Sequence, residues 1–204
     1  MRLEIAPGIL LWREKFTRIE QEKLLHAVMV QVQDAPFYRP QMPGTGKAFS
    51  VEETNFGELG WVADKSGYRY QPIHPITGKA WPAIPGSLLK LWEEIAPSYQ
   101  FEDPPQCCLV NLYRAGARMG LHQDKDETAA APVISVSLGD EAVFRIGGSE
   151  RRGATKSLKL QSGDVVAFGG PARLAYHGID RIAAGSSTLI PGGGRINLTL
   201  RRVT

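Results

Sequence analysis

The chain has 204 residues, of which 43% are hydrophobic and 22% are charged, and its formal net charge at pH 7 is +3. This length and balance predict one folded domain with a single core, and they exclude a disordered or low-complexity chain. The small positive charge neither requires nor excludes a polyanionic partner.

The cysteines and the hydropathy of the chain indicate where the protein works. Cys107 and Cys108 are adjacent, and neighbours on a strand point to opposite faces, so we expect no bridge between them and a reducing compartment. No apolar stretch is long enough to span a bilayer, and charges within residues 12–15 interrupt the N-terminal apolar run that a signal peptide would need. The sequence predicts a cytoplasmic protein without a membrane contact.

The first segment of the chain is predicted to contain a strand and a helix. Residues 5–12 are largely apolar and predict a short strand. Thr17 and Glu20 have the spacing of a capping box, which predicts that a helix begins there. This helix is predicted to bury one face, which carries Ile19, Leu24, Leu25, Val28 and Met29. Glycines and prolines in residues 40–46 end the segment.

Residues 47–86 are aromatic, basic and rich in loop-forming residues. Their aromatic side chains are Phe49, Phe56, Trp61, Tyr68, Tyr70 and Trp81. Rings interleaved with Lys and Arg are typical of surfaces that hold single strands or extruded bases. Composition alone equally fits a structural interpretation, in which the rings attach an irregular loop to the core. After this stretch, Ser87 is predicted to cap a short helix that ends at Pro97.

The rest of the chain predicts short strands separated by Gly and Asp turns. The predicted strands are residues 107–114, 119–123, 133–138, 142–146, 157–160, 165–168, 174–177 and 195–202. Many short strands at close intervals are typical of a barrel or a double-sheet jelly roll.

One pair of residues indicates a metal site. His122 and Asp124 are two residues apart, so their side chains leave the same face if this stretch is an extended strand. A converging imidazole and carboxylate are two of the three ligands in the 2-His-1-carboxylate site for Fe(II). Of the remaining histidines, His177 is best placed, because it lies where a short apolar run meets a glycine. His26 lies in the predicted helix and His74 in a proline-rich loop. A solvated strand end could carry the same pair.

A second polar pattern lies near the C-terminus, where residues 195–201 alternate polar and apolar side chains. The predicted polar face carries Arg195, Asn197, Thr199 and Arg201. Two guanidinium groups and an amide on one face form a receptor for an anion with two carboxylates. An exposed strand face over a buried apolar one would show the same alternation. The combination with an iron site favours the anion receptor.

Together these motifs resemble the AlkB family of Fe(II)- and 2-oxoglutarate-dependent nucleic-acid dealkylases. The resemblance rests on HxD at residues 122–124, on His177 and on RxNxTxR at residues 195–201, and it extends to residues 111–113, 122–127, 60–61 and 67–70. It implies a mainly β (α+β) fold, a double-stranded β-helix or jelly roll with N-terminal helices. It also implies one dioxygenase domain over residues 1–204, with a nucleotide-recognition lid at residues 47–86.

The resemblance assigns roles to individual residues. It implies that the catalytic Fe(II) ligands are His122, Asp124 and His177, with 2-oxoglutarate and O2 as cosubstrates. It implies that 2-oxoglutarate is bound by Asn111, Tyr113, Arg195, Asn197 and Arg201. It implies that the substrate is contacted by Trp61, Tyr68, Arg69, Tyr70, Asp126 and Arg151. Without the family pattern, Asn111 and Tyr113 would equally be packing residues, and Asp126 and Arg151 would be solvated charges.

The implied reaction is oxidative demethylation of 1-methyladenine and 3-methylcytosine in DNA. It is a direct-reversal repair that converts 2-oxoglutarate to succinate and releases formaldehyde. The implied partner is alkylated single-stranded DNA, with RNA or duplex DNA with a flipped base as further options, and we expect a monomer. The alternatives are an oxygenase acting on tRNA, a protein, a lipid or a small molecule, and a non-catalytic metal sensor or nucleic-acid-binding module.

Overall fold

The computed structural model describes residues 1–204 in full. The strands are β1 (Arg2–Ala6), β2 (Ile9–Trp12), β3 (Glu52–Gly57), β4 (Gly60–Asp64), β5 (Gly67–Gln71), β6 (Cys107–Tyr113), β7 (Met119–His122), β8 (Val133–Gly139), β9 (Glu141–Gly147), β10 (Thr155–Leu160), β11 (Val165–Phe168), β12 (His177–Ala183) and β13 (Arg195–Arg201). The helices are α1 (Arg18–Gln31) and α2 (Gly86–Ile95). Neither helix has the length and apolar composition that a membrane span requires.

Two antiparallel sheets form a sandwich. The larger sheet has seven strands in the order β1-β2-β11-β8-β13-β6-β3, and the smaller has four in the order β10-β9-β12-β7. Strands far apart in sequence are neighbours in both sheets, which is the connectivity of a jelly roll. The predicted mainly β jelly-roll fold is confirmed.

The sandwich and the helices enclose two apolar layers. Between the two sheets, the buried side chains include Leu11, Val133, Phe144, Val166 and Ile179. Between the helices and the other face of the larger sheet, they include Leu24, Leu88, Trp92, Val136 and Leu198. Burial of these side chains is the main favourable contribution to folding, so the fold does not depend on the polar site for its core.

Strand β13 lies between β8 and β6 within the larger sheet. Its apolar side chains face the helices, and its polar side chains face the interior between the sheets. Arg195 is 1% exposed and Arg201 is 6% exposed. The alternative of an exposed polar strand face is therefore wrong, and two buried guanidinium groups require anionic partners.

Helix α1 begins at the predicted capping box. The Thr17 side chain accepts a hydrogen bond from the Glu20 backbone N–H, and the Glu20 carboxylate accepts one from the Thr17 N–H. The predicted apolar face is only partly correct, because Ile19 is 65% exposed and Met29 is 44% exposed. Gln21 is buried instead, and its side-chain amide donates to the Phe16 carbonyl at 2.8 Å.

Several predicted boundaries are wrong because turns interrupt them. Residues 5–12 are not one strand, since Gly8 (φ 81°) turns the chain between β1 and β2. Helix α2 has Pro85 at its N-cap and no side-chain cap, so Ser87 lies inside the first turn. Residues 174–177 are not a strand, because β12 begins at His177.

The segment predicted as a loop-rich lid contains three strands. Strand β3 forms an edge of the larger sheet, and β4 and β5 form a separate two-stranded hairpin. Trp81 is buried, and its indole N–H donates to the Gln71 carbonyl at 2.8 Å, which attaches the end of the hairpin to the following loop. Trp81 is therefore structural, as predicted.

Candidate active site

Two neighbouring strands of the smaller sheet, β7 and β12, bring His122, Asp124 and His177 together. His122 is paired directly with His177 across β7 and β12, and one ligand atom of each of the three residues lies within 4.8 Å of the others. The Asp124 carboxylate lies 3.6 Å from His122 Nε2 and 3.8 Å from His177 Nε2. Strand β7 ends at His122, so Asp124 lies in the loop after it and the assumed shared strand face is not what joins them.

Both imidazoles present the same nitrogen to this centre. His122 Nδ1 lies 3.0 Å from the Gly120 carbonyl oxygen, and His177 Nδ1 lies 3.0 Å from the Ala175 carbonyl oxygen. A carbonyl only accepts hydrogen bonds, so Nδ1 carries the proton and Nε2 keeps its lone pair. Burial lowers the pKa of His177 to about 4, so this ring is neutral at pH 7, as metal ligation requires.

Asp124 completes a donor set suited to iron. Burial would raise the pKa of its carboxyl, but Arg201, His177 and His122 hold that pKa below its ordinary value. Its buried Oδ2 pairs with Arg201 Nη2 at 2.8 Å, and its Oδ1 lies 3.6 Å from His122 Nε2. Two imidazoles and one carboxylate fit Fe(II).

The triad lines a cavity of about 690 Å³, and the polar face of β13 lines the same cavity. Arg195 Nη2 donates to Ser137 Oγ at 3.0 Å, while Arg195 Nε and Nη1 are buried without a partner. Asn197 donates to Ser135 Oγ at 2.6 Å, and Tyr113 packs its ring 5.3 Å from the Arg195 guanidinium. Two unpaired guanidinium donors that line this cavity fit the carboxylate of an anion such as 2-oxoglutarate.

Arg201 belongs to a buried ionic cluster that the sequence did not predict. Its Nη1 donates to the Tyr70 hydroxyl at 3.1 Å and lies 3.3 Å from Glu127 Oε1. The Tyr70 hydroxyl donates to Glu127. Arg173 pairs with Glu127 at 3.1 Å and donates to the Asp124 backbone carbonyl at 2.6 Å. The cluster therefore joins the β4–β5 hairpin to the loop that carries Asp124.

Several predicted substrate residues surround the cavity mouth. The Trp61 indole N–H donates to Asp126 Oδ2 at 2.9 Å. The Trp61 ring stacks on Tyr68, with centroids 5.4 Å apart and planes 18° from parallel. Arg151 also lines the cavity.

Two other predicted substrate residues lie elsewhere. Arg69 projects from the side of β5 opposite to Tyr68 and pairs with Asp64 at 2.8 Å, so it does not line the cavity. Tyr70 is engaged in the buried cluster with Arg201. A strand alternates its side chains between two faces, so the three successive residues 68–70 cannot all point into one cavity.

His74 has a structural role, in agreement with the choice of His177 as the third member of the triad. Its side chain is fully buried, and its Nε2 lies 2.8 Å from the Pro36 carbonyl oxygen. Its Nδ1 accepts hydrogen bonds from the backbone N–H groups of Ile76 and Thr77. With both nitrogens used, His74 has no lone pair for a metal.

Sequence reasoning missed Glu53, Glu127 and Arg173. Glu127 and Arg173 were overlooked because their partners come from distant elements, which spacing along the chain does not reveal. The sequence gives a weak signal for Glu53. Adjacent side chains on an extended strand point to opposite faces, so one carboxyl of the pair Glu52–Glu53 must face inward.

The comparisons with known proteins agree with this geometry. Residues 8–201 match the model of the 2OG-Fe(II) oxygenase superfamily. The chain is 54% identical to the alpha-ketoglutarate-dependent dioxygenase AlkB homolog of Caulobacter vibrioides, over 98% of this chain and 90% of that protein. It is 43% identical to the Escherichia coli alpha-ketoglutarate-dependent dioxygenase AlkB, over 97% of this chain and 90% of that protein.

A solved structure supports the same relationship. The structure of OsALKBH1 superposes with a TM-score of 0.84 at 30% identity, covering 99% of this chain and all of that one. Alpha-ketoglutarate is another name for 2-oxoglutarate, the anion that the cavity fits. The chain therefore belongs to the AlkB family within the 2OG-Fe(II) oxygenase superfamily.

Proposed function

We propose that this oxygenase removes alkyl groups from nucleic-acid bases. The observation that carries the proposal is the single cavity, which joins the histidine–aspartate triad and the buried arginines to a mouth lined by Trp61 and Tyr68. Two more distant relatives have names that specify nucleic acid, the Arabidopsis thaliana DNA N(6)-methyladenine demethylase ALKBH1C and the human nucleic acid dioxygenase ALKBH1.

In this proposal, Fe(II) is held by Nε2 of His122, Nε2 of His177 and the Asp124 carboxylate. Bound Fe(II), 2-oxoglutarate and O2 together supply the oxidation of an N-alkyl carbon, with 2-oxoglutarate converted to succinate and CO2. The hydroxylated carbon then separates from nitrogen as an aldehyde, which is formaldehyde for a methyl group. The protein contributes placement of the alkyl carbon and exclusion of bulk water.

The cosubstrate is held by the polar face of the larger sheet. Arg195 would pair its two free donors with the remote carboxylate of 2-oxoglutarate, and Arg201 would bind the other carboxylate. The remaining hydrogen bonds come from Asn111, Tyr113 and Asn197. This arrangement is supported by the Arg195 Nε and Nη1 donors, which are buried without a partner.

The substrate base enters through the lid of residues 47–86. An atom inside a stacked duplex cannot reach the triad, so the base comes from a single strand or is flipped out. Trp61 and Tyr68 offer stacking faces, Asp126 a hydrogen-bond acceptor and Arg151 a cation for phosphate. Arg69 and Tyr70 act indirectly, through the shape of the hairpin. One chain supplies all these groups, so the proposed enzyme needs no second copy to complete its site, as expected of a monomer.

The test is turnover on defined substrates. The enzyme is loaded with Fe(II) and 2-oxoglutarate without oxygen, then given oxygen and matched DNA and RNA oligonucleotides that carry 1-methyladenine, 3-methylcytosine or N6-methyladenine. Mass spectrometry of the bases should show loss of methyl from the two cationic bases, faster in single strands than in duplexes. Succinate formation without any change in a base would contradict the proposal and would indicate another class of substrate.

A further inference from the structure

Glu53 is a buried carboxyl group that the proposed reaction does not use. Its side chain lines the cavity, although the residue is only 1% exposed. Its Oε2 atom is enclosed and has no hydrogen-bond partner. A buried acceptor without a partner is costly, so a folded protein that keeps one at a ligand cavity has a reason for it in the bound state.

The position of Glu53 follows from the register of the larger sheet. Glu53 on β3 is paired with Asn111 on β6, Asn111 with Asn197 on β13, and Asn197 with Ser137 on β8. Residues paired in this way share one face of the sheet. Glu53 therefore ends a row of polar side chains that crosses the interior, beside the residues that hold 2-oxoglutarate.

The backbone fixes Glu53 firmly in this place. Glu53 and Tyr38 exchange two backbone hydrogen bonds, of 3.0 and 2.7 Å, so the edge strand is covered at this residue.

Burial raises the pKa of Glu53 to about 8, although Arg201 lowers it. The other titratable groups that interact with this carboxyl are the hydroxyls of Tyr38 and Tyr113. No cation in the protein forms an ion pair with it.

The ligands of the cavity differ in what they can offer this carboxyl group. 2-Oxoglutarate at neutral pH has only acceptor atoms and a negative charge, so it cannot donate to Glu53. An adenine or cytosine base carries an exocyclic amino group, and ring methylation adds a positive charge. A cationic base therefore supplies both the donor and the countercharge that an ionised, buried carboxyl needs.

We propose that Glu53 is a specificity-determining residue that accepts a hydrogen bond from the exocyclic amino group of a cationic alkylated base. It would act deep in the cavity, while Asp126, which is exposed, contacts the base near the mouth. This inference rests on the proposed function, because it requires a base as the ligand.

The test replaces Glu53 by its neutral isostere and compares substrates. Glu53→Gln keeps the size of the side chain and removes its charge. The matched control is Glu52→Gln, the adjacent residue, which does not line the cavity and pairs with Arg39 at 3.3 Å. Each protein is assayed for kcat/KM on single strands that carry 1-methyladenine, 3-methylcytosine or 3-methylthymine, and for the KM of the cosubstrate. The neutral reference is 3-methylthymine, since it lacks both the charge and the amino group.

We expect Glu53→Gln to lower kcat/KM on the two cationic bases by about tenfold or more, as loss of a charged hydrogen bond would. The value for 3-methylthymine and the KM of the cosubstrate should stay within about twofold of wild type, and Glu52→Gln should match wild type throughout. An equal loss on all three bases would overturn the inference and make Glu53 a structural residue. If wild type demethylates none of the bases, the proposed function itself fails.

A second variant distinguishes a contact of Glu53 with the base from a contact with the cosubstrate. Glu53→Met has a similar length but no polar atom, and it should reproduce the selective loss on cationic bases with an unchanged KM of the cosubstrate. If Glu53→Met instead raises this KM while Glu53→Gln does not, Glu53 donates a hydrogen bond to the cosubstrate as a carboxylic acid. That result would also overturn the inference.

Discussion

At the residue scale, two backbone carbonyls orient the imidazole rings of the triad. The carbonyls of Gly120 and Ala175 fix the tautomers of His122 and His177, so that both Nε2 atoms are free. Each carbonyl lies two residues before its histidine, so the orientation is a local property of each strand end. The residue types of the triad could be predicted from the sequence, but this orientation could not.

Replacing His122, Asp124 or His177 by Ala should abolish turnover and metal binding. The fold should remain, because burial of apolar side chains holds the core, and of the triad only the His177 ring packs on its edge, against Phe168. Calorimetric titration with Mn(II), circular dichroism and succinate release measure the three effects. Near-normal turnover in any one variant would remove that residue from the proposed ligand set.

Arg195→Lys should raise the KM of the cosubstrate by about tenfold or more, because Lys keeps the charge but cannot form two parallel hydrogen bonds to a carboxylate. The affinity for an oligonucleotide should change much less. Steady-state kinetics with each ligand varied in turn gives both values. Comparable losses for the two ligands would argue against the placement of Arg195 in the cosubstrate site.

The raised pKa of Glu53 predicts a pH-dependent stability. Between its ordinary value of 4.5 and about 8, the folded protein keeps a proton on Glu53 that the unfolded chain has lost. Stability contributed by this group is therefore present below pH 4.5 and is lost as the pH rises through 8. Glu53→Gln does not titrate, so its free energy of unfolding should rise relative to that of wild type by about 4 kcal/mol between about pH 5 and about pH 8.5.

Urea denaturation of the metal-free proteins at several pH values measures this difference. Parallel profiles for wild type and Glu53→Gln would show that Glu53 titrates normally, and Glu52→Gln controls for the loss of a negative charge on the same strand.

At the element scale, the sequence predicts those elements whose signals are local. The capping box at Thr17 marks the start of α1, and the alternation of residues 195–201 identifies both faces of β13. The β4–β5 hairpin was missed because its strands are short, and its contacts, such as Arg201 with Tyr70, come from residues far along the chain. At Gly60 an added Cβ would lie 2.4 Å from the Trp81 ring, which only the folded structure reveals.

The link between this hairpin and the triad can be tested through the Tyr70 hydroxyl. Tyr70→Phe removes the hydrogen bonds to Glu127 and Arg201 and should destabilise the protein by about 1–2 kcal/mol. It should also raise the KM of the cosubstrate, since Arg201 loses one of its positioning contacts. Denaturant unfolding and steady-state kinetics measure these effects.

Tyr68→Phe is the matched control, because the Tyr68 side chain is 52% exposed on the same hairpin. Its stability and its KM for the cosubstrate should remain close to those of wild type. If both variants behave alike, the buried cluster does not connect the hairpin to the cosubstrate site.

At the scale of the whole molecule, the site is assembled from both sheets. The smaller sheet supplies the two histidines through β7 and β12, and the larger sheet supplies the arginines, the asparagines and Glu53 through β13, β6 and β3. The order of strands in these sheets depends on pairings between distant residues, so the sequence indicated a jelly roll without its register. The depth of Glu53 follows from that register.

The central claim is that this one cavity couples consumption of 2-oxoglutarate to dealkylation of a base. The most direct measurement is the ratio of succinate formed to methyl groups lost from a single-stranded oligonucleotide carrying 1-methyladenine, followed in the same reaction by mass spectrometry. We expect about one succinate for each base restored, with formaldehyde in equal amount. Succinate formed at the same rate with and without the oligonucleotide, and no base restored, would contradict it.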